Sequence, residues 1–192
     1  FFGVERLPGE HDSALRLRIQ LSLHSLSVAG PVNAYRYHAL SAHPDVLDAS
    51  VSSPEPGTVR VTVLPKLTAE TPAAELLALV EQALNAQDVR PLTDTVEVQA
   101  AHIHTFDVEA TLHLHPGVPH DITLDAAQQA LSRYVTEQYV LGGAIHLSAL
   151  YAALQQPGLR HAELQQPLAE IILDPHAAPH CTAIQLQVAS YG

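Results

Sequence analysis

The sequence predicts an α+β protein: an N-terminal helical segment followed by two small modules, each a mixed or antiparallel sheet with helices packed on one face. Two observations support this prediction. Residues 46–101 contain two strands with alternating apolar residues, then an amphipathic helix and a further strand. The second half repeats a similar order of elements loosely. The predicted domains are residues 1–45, 46–105 and 106–192.

The N-terminal segment predicts two helices. The first covers residues 12–24, with Asp12 or Ser13 as its cap. The second lies within residues 29–44, where Pro31 suits the first turn and Pro44 follows the end. Because the chain has no Met and no initiator residue, we expect the segment to continue from a part of the protein upstream of Phe1.

The first module predicts a β-β-α-β unit. Strands at 46–52 and 58–64 flank the turn sequence SPEPG. Thr71 is expected to cap the next helix, with Pro72 at its first position. A strand at 95–100 completes the unit. The apolar residues expected in its core are Val59, Val61 and Val63 on one strand face and the helix stripe Leu76, Leu77, Val80, Ala83 and Leu84.

The second module predicts a β-α-α-β-β unit. Its first strand, 107–115, alternates so that one face points inward. A capping box of Asp125 and Gln128 is expected to start a helix that ends at Gly142–Gly143. A short helix from 147, strands at 159–165 and 182–190, and a mostly irregular stretch at 167–180 with a short strand at 170–173 follow. The inward residues of the first strand are Val108, Ala110, Leu112 and Leu114.

Charge and cysteine content restrict the partners. The net charge is −11 with nine Lys plus Arg, so nucleic acids and anionic membrane surfaces are not expected as partners. No apolar run approaches the roughly 18 residues of a membrane span. The single cysteine, Cys181, excludes an internal disulfide and a cysteine-rich zinc cluster, which favours a reducing compartment.

Two His-x-His pairs, His102 with His104 and His113 with His115, are candidate metal ligands. Their odd offset places the pairs on opposite faces of a straight strand, so only a bend could bring them together. The apolar parity slips near residues 101–106, which predicts a bulge or a module junction there. The second pair shares parity with polar residues, which is typical of the solvated face of a sheet.

Other chemical signatures are weak. Asp174, His176, His180 and Cys181 cluster near the end, but Cys181 opens a strand with an apolar face, where a free Cys acts as a small hydrophobe. Acidic pairs such as Glu163 with Glu170 or Asp121 with Asp125 are interpreted as surface charges. No nucleophile elbow, P-loop or dinucleotide fingerprint occurs. The sequence therefore predicts no catalytic, cofactor-binding or metal-binding residues and no enzyme.

Several segments in order resemble one family. They are SVAGPVNAYRYHALSAHPDVLDASVSSPEPGTVRVTVL, DVRPLTDTVEVQAA, IHLSALYAALQQPGLRHAEL and HCTAIQLQV. This collinear set resembles the baseplate J-like proteins of contractile-tailed phages and phage-derived tail particles, from about residue 10 to residue 190. The resemblance lies in the whole set, because no single motif is diagnostic.

The resemblance implies a non-enzymatic component of the baseplate wedge, located in the virion or tail-particle baseplate and assembled in the host bacterial cytoplasm. It implies as partners other copies of the chain and smaller wedge proteins, with tail hub or sheath proteins as further candidates. Such proteins link wedges into a ring around the hub, and the ring changes shape when the sheath contracts. The alternatives are a metal-dependent enzyme that uses the His-x-His pairs, with His176 or His180, and a generic protein-interaction module.

Overall fold

The fold is α+β, as the sequence predicts. A computed structural model describes residues 3–25, 32–86 and 95–189. The chain forms two compact units, residues 1–101 and 102–192. The predicted helical segment lies within the first unit, and the sequence-based boundaries at 45/46 and 105/106 stay predictions. Gly30 and Pro31, expected at the start of the second helix, lie outside the described residues.

The first unit is a three-stranded mixed sheet with helices. The elements are α1 (Asp12–Ser25), α2 (Val32–Ala42), β1 (Val46–Ser52), β2 (Thr58–Pro65), α3 (Ala73–Leu84) and β3 (Thr95–Ala100). Strand β2 is central, antiparallel to β1 and parallel to β3, and helix α3 lies in the crossover between the two parallel strands.

The core of this unit follows the predicted periodicities. Leu76, Val80 and Leu84 on α3 are buried, as are Val61 and Val63 on β2. These side chains belong to one apolar cluster with residues of α1, α2 and β1. Val59 and Leu77 are partly buried against the same cluster. The predicted inward face of β2 and stripe of α3 are therefore confirmed except at Ala83, which is half-buried and not part of the cluster.

The predicted cap of α3 is wrong. Pro72 occupies the N-cap position, and no side chain makes a capping hydrogen bond there. The backbone N–H of Thr71 instead donates to Asp45 Oδ2 at 3.1 Å. Hydrogen bonds from the Thr71 side chain and backbone hold the pKa of Asp45 below its usual range. Thr71 thus joins the start of α3 to the loop before β1.

A buried ion pair fixes α1 to the preceding loop. Arg18 and Glu10 have side chains only 5% and 4% exposed. Arg18 Nε donates to Glu10 Oε1 at 2.7 Å and Nη2 to Oε2 at 2.9 Å, a bidentate contact. Arg18 also donates to the Glu5 carbonyl and to Ser41 Oγ on α2. One guanidinium therefore ties the N-terminal loop, α1 and α2 together.

The elements of the second unit are β4 (His102–Leu114), α4 (His120–Glu137), β5 (Ala144–Ile145), α5 (Leu147–Leu154), β6 (Leu159–Gln166), β7 (Ile171–Ile172) and β8 (Ala177–Val188). The unit contains a three-stranded sheet in the order β6-β4-β8, with β4 central. Strand β6 is antiparallel to β4, whereas β8 is parallel to it, and β5 with β7 form a separate antiparallel pair.

The predicted inward residues of β4 are confirmed. Val108, Ala110, Leu112 and Leu114 are all buried. They pack in one cluster with residues of α4 and α5, such as Leu131, and with apolar residues of both neighbouring strands. Both helices therefore contribute to the apolar core against one face of this sheet.

Several predicted boundaries in this unit are wrong. Helix α4 begins at His120, so Asp125 lies inside the helix and forms no capping box. The helix ends at Glu137, before the glycine pair. Strand β8 begins at Ala177 rather than at 182, and β4 begins at His102 rather than at 107. The ladder between them is irregular at Phe106/Asp107, where β8 has the extra residue Thr182.

Gly143 is required by crowding rather than by the helix end. A Cβ atom there would lie 2.3 Å from the Gln138 carbonyl oxygen and 2.9 Å from Cδ of Pro179. The carbonyl belongs to the backbone, so relief of the clash requires a backbone shift. We therefore expect Gly143→Ala to lower the free energy of unfolding by about 3 kcal/mol, at the upper end for overpacking.

Gly117 provides the matched control for this substitution. It has a φ of +82°, and an added Cβ would meet nothing within 4 Å. Gly117→Ala should then cost only the strain of a left-handed backbone, about 1 kcal/mol. Equilibrium denaturation of both variants measures the difference. Equal losses at the two positions would contradict the crowding explanation.

Candidate functional site

The second unit presents a polar sheet face opposite its core. Alternate residues of β6, β4 and β8 pack inward, so the residues between them point to the other side. We call this surface the open face. Its residues are Glu109, Thr111, His113, His161, Glu163, Gln165, Gln185 and Gln187.

The middle of the open face is polar but carries little charge. Gln165 Nε2 donates to Thr111 Oγ1 at 3.0 Å across β6 and β4. A shallow groove runs over these two residues together with Gln185 and Gln187 of β8 and Glu109. In a chain of net charge −11, this strip has one carboxylate among amides and a hydroxyl. Charge depletion of this kind is typical of the centre of a protein interface.

Two histidines and a glutamate meet at one end of the open face. His113 and His161 are direct cross-strand partners, and their rings stack with centroids 4.0 Å apart and planes 8° apart. Glu163 lies two residues after His161 on the same side of β6. Its Oε1 is 3.3 Å from His113 Nε2 and 3.6 Å from His161 Nε2. One carboxylate oxygen therefore faces both imidazoles.

This group is the one set of three or more His, Cys, Asp or Glu residues within 3–25, 32–86 and 95–189 whose ligand atoms lie within 4.8 Å of one another. The sequence prediction named His113 as a candidate but treated Glu163 as a surface charge and did not consider His161. The signal in the sequence was the alternation of His161, Glu163 and Gln165 on a predicted strand. The sequence does not show that the strand with this alternation pairs with β4, so the cluster could not be predicted.

The two His-x-His pairs do not converge. Residues 102–114 form one continuous strand, so His104 and His113 are nine residues, or about 30 Å, apart. His102 and His104 are exposed at the start of β4, and His115 is exposed just after its end. A single four-histidine site, as the metal-enzyme alternative required, is therefore inconsistent with the fold.

The candidate residues between 174 and 181 make contacts that stabilise the fold. The Asp174 carboxylate accepts the backbone N–H of His176 at 2.7 Å. The His180 ring packs edge-on against Tyr139 at 5.7 Å. Cys181 packs against the core of the unit, and burial raises the pKa of its thiol. A thiol with a raised pKa stays protonated at neutral pH and is a poor nucleophile.

The first unit has an apolar cavity of about 270 Å³ between the N-terminal loop, α1 and the start of β1. Glu10 and Arg18 lie at its wall, but they are paired with each other. Apolar side chains, Leu7, Leu17 and Leu40 among them, form much of the rest of the wall. Ser13, His43 and Lys66 also line the cavity, so its wall combines apolar and polar side chains.

The helices within the described residues lack the length and apolar character needed to cross a membrane.

Comparison with known proteins identifies the family. The Baseplate J-like central domain matches residues 27–100, and the Baseplate J-like protein C-terminal domain matches residues 106–187. Baseplate protein J of Escherichia phage P2 is 46% identical over 173 residues, which are 90% of this chain and 57% of that protein. The chain thus spans little more than half the length of this relative.

A solved structure supports the fold independently. A chain in the cryo-EM structure of the anti-feeding prophage (AFP) baseplate, 6-fold symmetrised, aligns with a TM-score of 0.54 at 16% identity. The alignment covers 92% of this chain and 42% of that chain. Since the two domain matches lie in order and together span most of the sequence, this chain belongs to the baseplate J-like family.

Proposed function

We propose that this chain is a non-enzymatic structural part of a contractile-tail baseplate. In this role it packs with other copies of itself and with smaller wedge proteins, and it links neighbouring wedges into a ring around the hub. The observation that carries the proposal is the 46% identity to baseplate protein J of phage P2 over 90% of the chain. Because the matched residues make up 90% of the chain, they include most of both units, and the proposal concerns both.

The open face of the second unit is the surface that we assign to these contacts. Its Gln and Thr side chains can form hydrogen bonds across an interface without the desolvation cost of buried charge. The rest of the protein carries most of the acidic residues and would keep the free chain soluble. The baseplate would assemble in the bacterial cytoplasm, which suits a chain with one half-buried cysteine.

Deletion of the gene in its source tests the structural role. We expect contractile tail particles to be lost from negatively stained preparations and to return when the full-length protein is supplied in trans. Normal particles from the deletion strain would refute the proposal.

Charge substitutions then test the open face itself. Gln185→Arg with Gln187→Arg places two cations in the middle of that face, and we expect at least about tenfold fewer complete particles, since about 1.4 kcal/mol at a contact already gives that factor. The matched control is Gln129→Arg, the same exchange at an exposed position of α4. Equal particle counts for the two variants would argue against the open face as the contact surface.

A further inference from the structure

We infer that His113, His161 and Glu163 form a binding site for Zn²⁺ or a chemically similar divalent transition-metal ion. The site lies at one end of the open face of the second unit. This inference goes beyond the structural role proposed above and does not depend on it.

The fold places the three donors on adjacent strands. His113 is on the central strand β4, and His161 is its direct partner on the edge strand β6. Glu163 is opposite Thr111, two pairs further along the ladder and therefore on the same face. Imidazole nitrogens and a carboxylate oxygen form a typical ligand set for Zn²⁺.

The two separations between the Glu163 oxygen and the histidine nitrogens match those of a tetrahedral site. Zinc binds nitrogen and carboxylate oxygen at about 2.0–2.2 Å, so two ligand atoms on a tetrahedral ion lie about 3.4 Å apart. Glu163 Oε1 is 3.3 Å from His113 Nε2 and 3.6 Å from His161 Nε2. Three protein ligands would leave the fourth position to water or to a group from outside the chain.

The nitrogen of His113 also requires a partner. Its Nε2 atom is buried and has no hydrogen bond among the described residues, although Glu163 Oε1 lies within ion-pair distance. A buried polar atom without a partner destabilises the fold. A metal ion bound to this nitrogen would satisfy it and would also neutralise the carboxylate beside it.

Binding requires a small movement of the rings. The two rings are stacked almost parallel, so the lone pairs of their nitrogens lie in parallel planes. A shared ion needs both lone pairs to point at the same position. His161 is 50% exposed and lies on an edge strand, so its ring can tilt away from His113 without disturbing the core.

The ion would fix the pairing of β6 with β4. The ladder between these strands is irregular on both sides of the cluster, between Glu109 and Ala110 and between His113 and Leu114. Each irregularity disrupts the ladder locally and leaves an extra residue unpaired. Ligands from both strands would hold the regular segment between these irregularities in place.

Titration of the full-length, untagged protein with Zn²⁺ tests the inference. We expect one equivalent to bind, with a rise in the melting temperature, and Co²⁺ to give the intense visible bands of a tetrahedral site. His161→Gln or Glu163→Gln should each weaken binding by more than about 100-fold, because even outer-shell partners contribute about 10–100-fold.

His104→Gln and His115→Gln are the matched controls, since each removes an exposed histidine, one near the start of β4 and one just after its end. They should leave affinity and the cobalt spectrum unchanged. The absence of stoichiometric binding would overturn the inference. So would binding that the His161 and Glu163 variants retain, because the ion would then lie at scattered surface histidines. Circular dichroism of each variant separates loss of the ligand from loss of the fold.

Discussion

Arg18→Ala is expected to destabilise the first unit by about 3–5 kcal/mol, because it leaves the carboxylate of Glu10 buried without its partner. The Glu10 side chain is 4% exposed, so water cannot replace the guanidinium without opening the loop. The same substitution removes the donors to the Glu5 carbonyl and to Ser41 Oγ. Hydrogen exchange should show that α1 loses its protection first, and denaturation gives the magnitude.

The acid dependence of stability distinguishes this pair from simple packing. The hydrogen bond from Arg18 lowers the pKa of Glu10, although burial opposes it. A carboxyl whose folded pKa is depressed stabilises the protein above its unfolded pKa of about 4.3 and loses that contribution as pH falls through the folded value. Glu10→Gln should therefore flatten the fall in stability below about pH 4.3. An unchanged pH profile would contradict the assigned role of the pair.

A double replacement provides the control for the pair. Glu10→Leu with Arg18→Met removes both charges together, and such exchanges are often neutral. Here we expect only partial recovery relative to Arg18→Ala, since Leu7 N–H, which donates to Glu10 Oε2 at 3.0 Å, loses its acceptor. A double variant less stable than Arg18→Ala would show that the unpaired carboxylate is not the main cost.

Leu112→Ala is expected to destabilise the second unit by about 2–5 kcal/mol. Leu112 is completely buried on the central strand and packs in the cluster that includes Leu131 and Leu150. Because the cluster includes residues from both helices and both neighbouring strands, we expect little local collapse to fill the cavity that the truncation leaves. Denaturant titration monitored by hydrogen exchange of β4 measures the loss.

His104→Ala is the matched control for this core substitution. His104 is exposed on the same strand, and an exposed substitution of this kind should change stability by less than about 0.5 kcal/mol. A loss below about 1 kcal/mol for Leu112→Ala would mean that the core relaxes around the vacancy.

Local periodicity predicted most of the buried faces of the fold. The alternation of Val108, Ala110, Leu112 and Leu114 and the stripe of α3 correctly identified the buried faces, because burial on one side of an element repeats with that element's geometry. The same reasoning did not find the partners of Arg18. A charged residue on a buried helix face weakens the apolar pattern, and its acceptor Glu10 lies in a loop without periodicity.

Element ends were harder to predict than element faces. Thr71 and Asp125 are good capping residues, but neither lies at an N-cap position. Thr71 precedes Pro72, the N-cap of α3, and its backbone N–H donates to Asp45. Asp125 lies inside α4, which begins earlier, at His120. The prolines of residues 167–180 predict an irregular stretch, yet residues 177–180 belong to the start of β8. Proline is tolerated in this strand because β8 lies at the edge of its sheet.

The metal-ligand candidate depends on register, which a single sequence does not reveal. His113 and His161 are distant in the chain, and a shift of one residue in the pairing of β4 with β6 would point His161 toward the core. The presence of histidines at alternate positions could be predicted, but the choice of His161 rather than His102 as the neighbour of His113 could not.

Strand β4 is the first element of the second unit to leave the ribosome. Its pairing is nevertheless completed last, because one of its two partner strands lies at the other end of the unit's sequence. Its parallel partner β8 is synthesised last, and Thr182 meets Asp107 across 75 residues of chain. Closing so long a loop is slow, and β4 exposes unpaired backbone until then. The first unit, whose sheet ends at β3, can fold during this interval. A nascent chain stalled before β8 should therefore hold a folded first unit and depend on chaperones for the second.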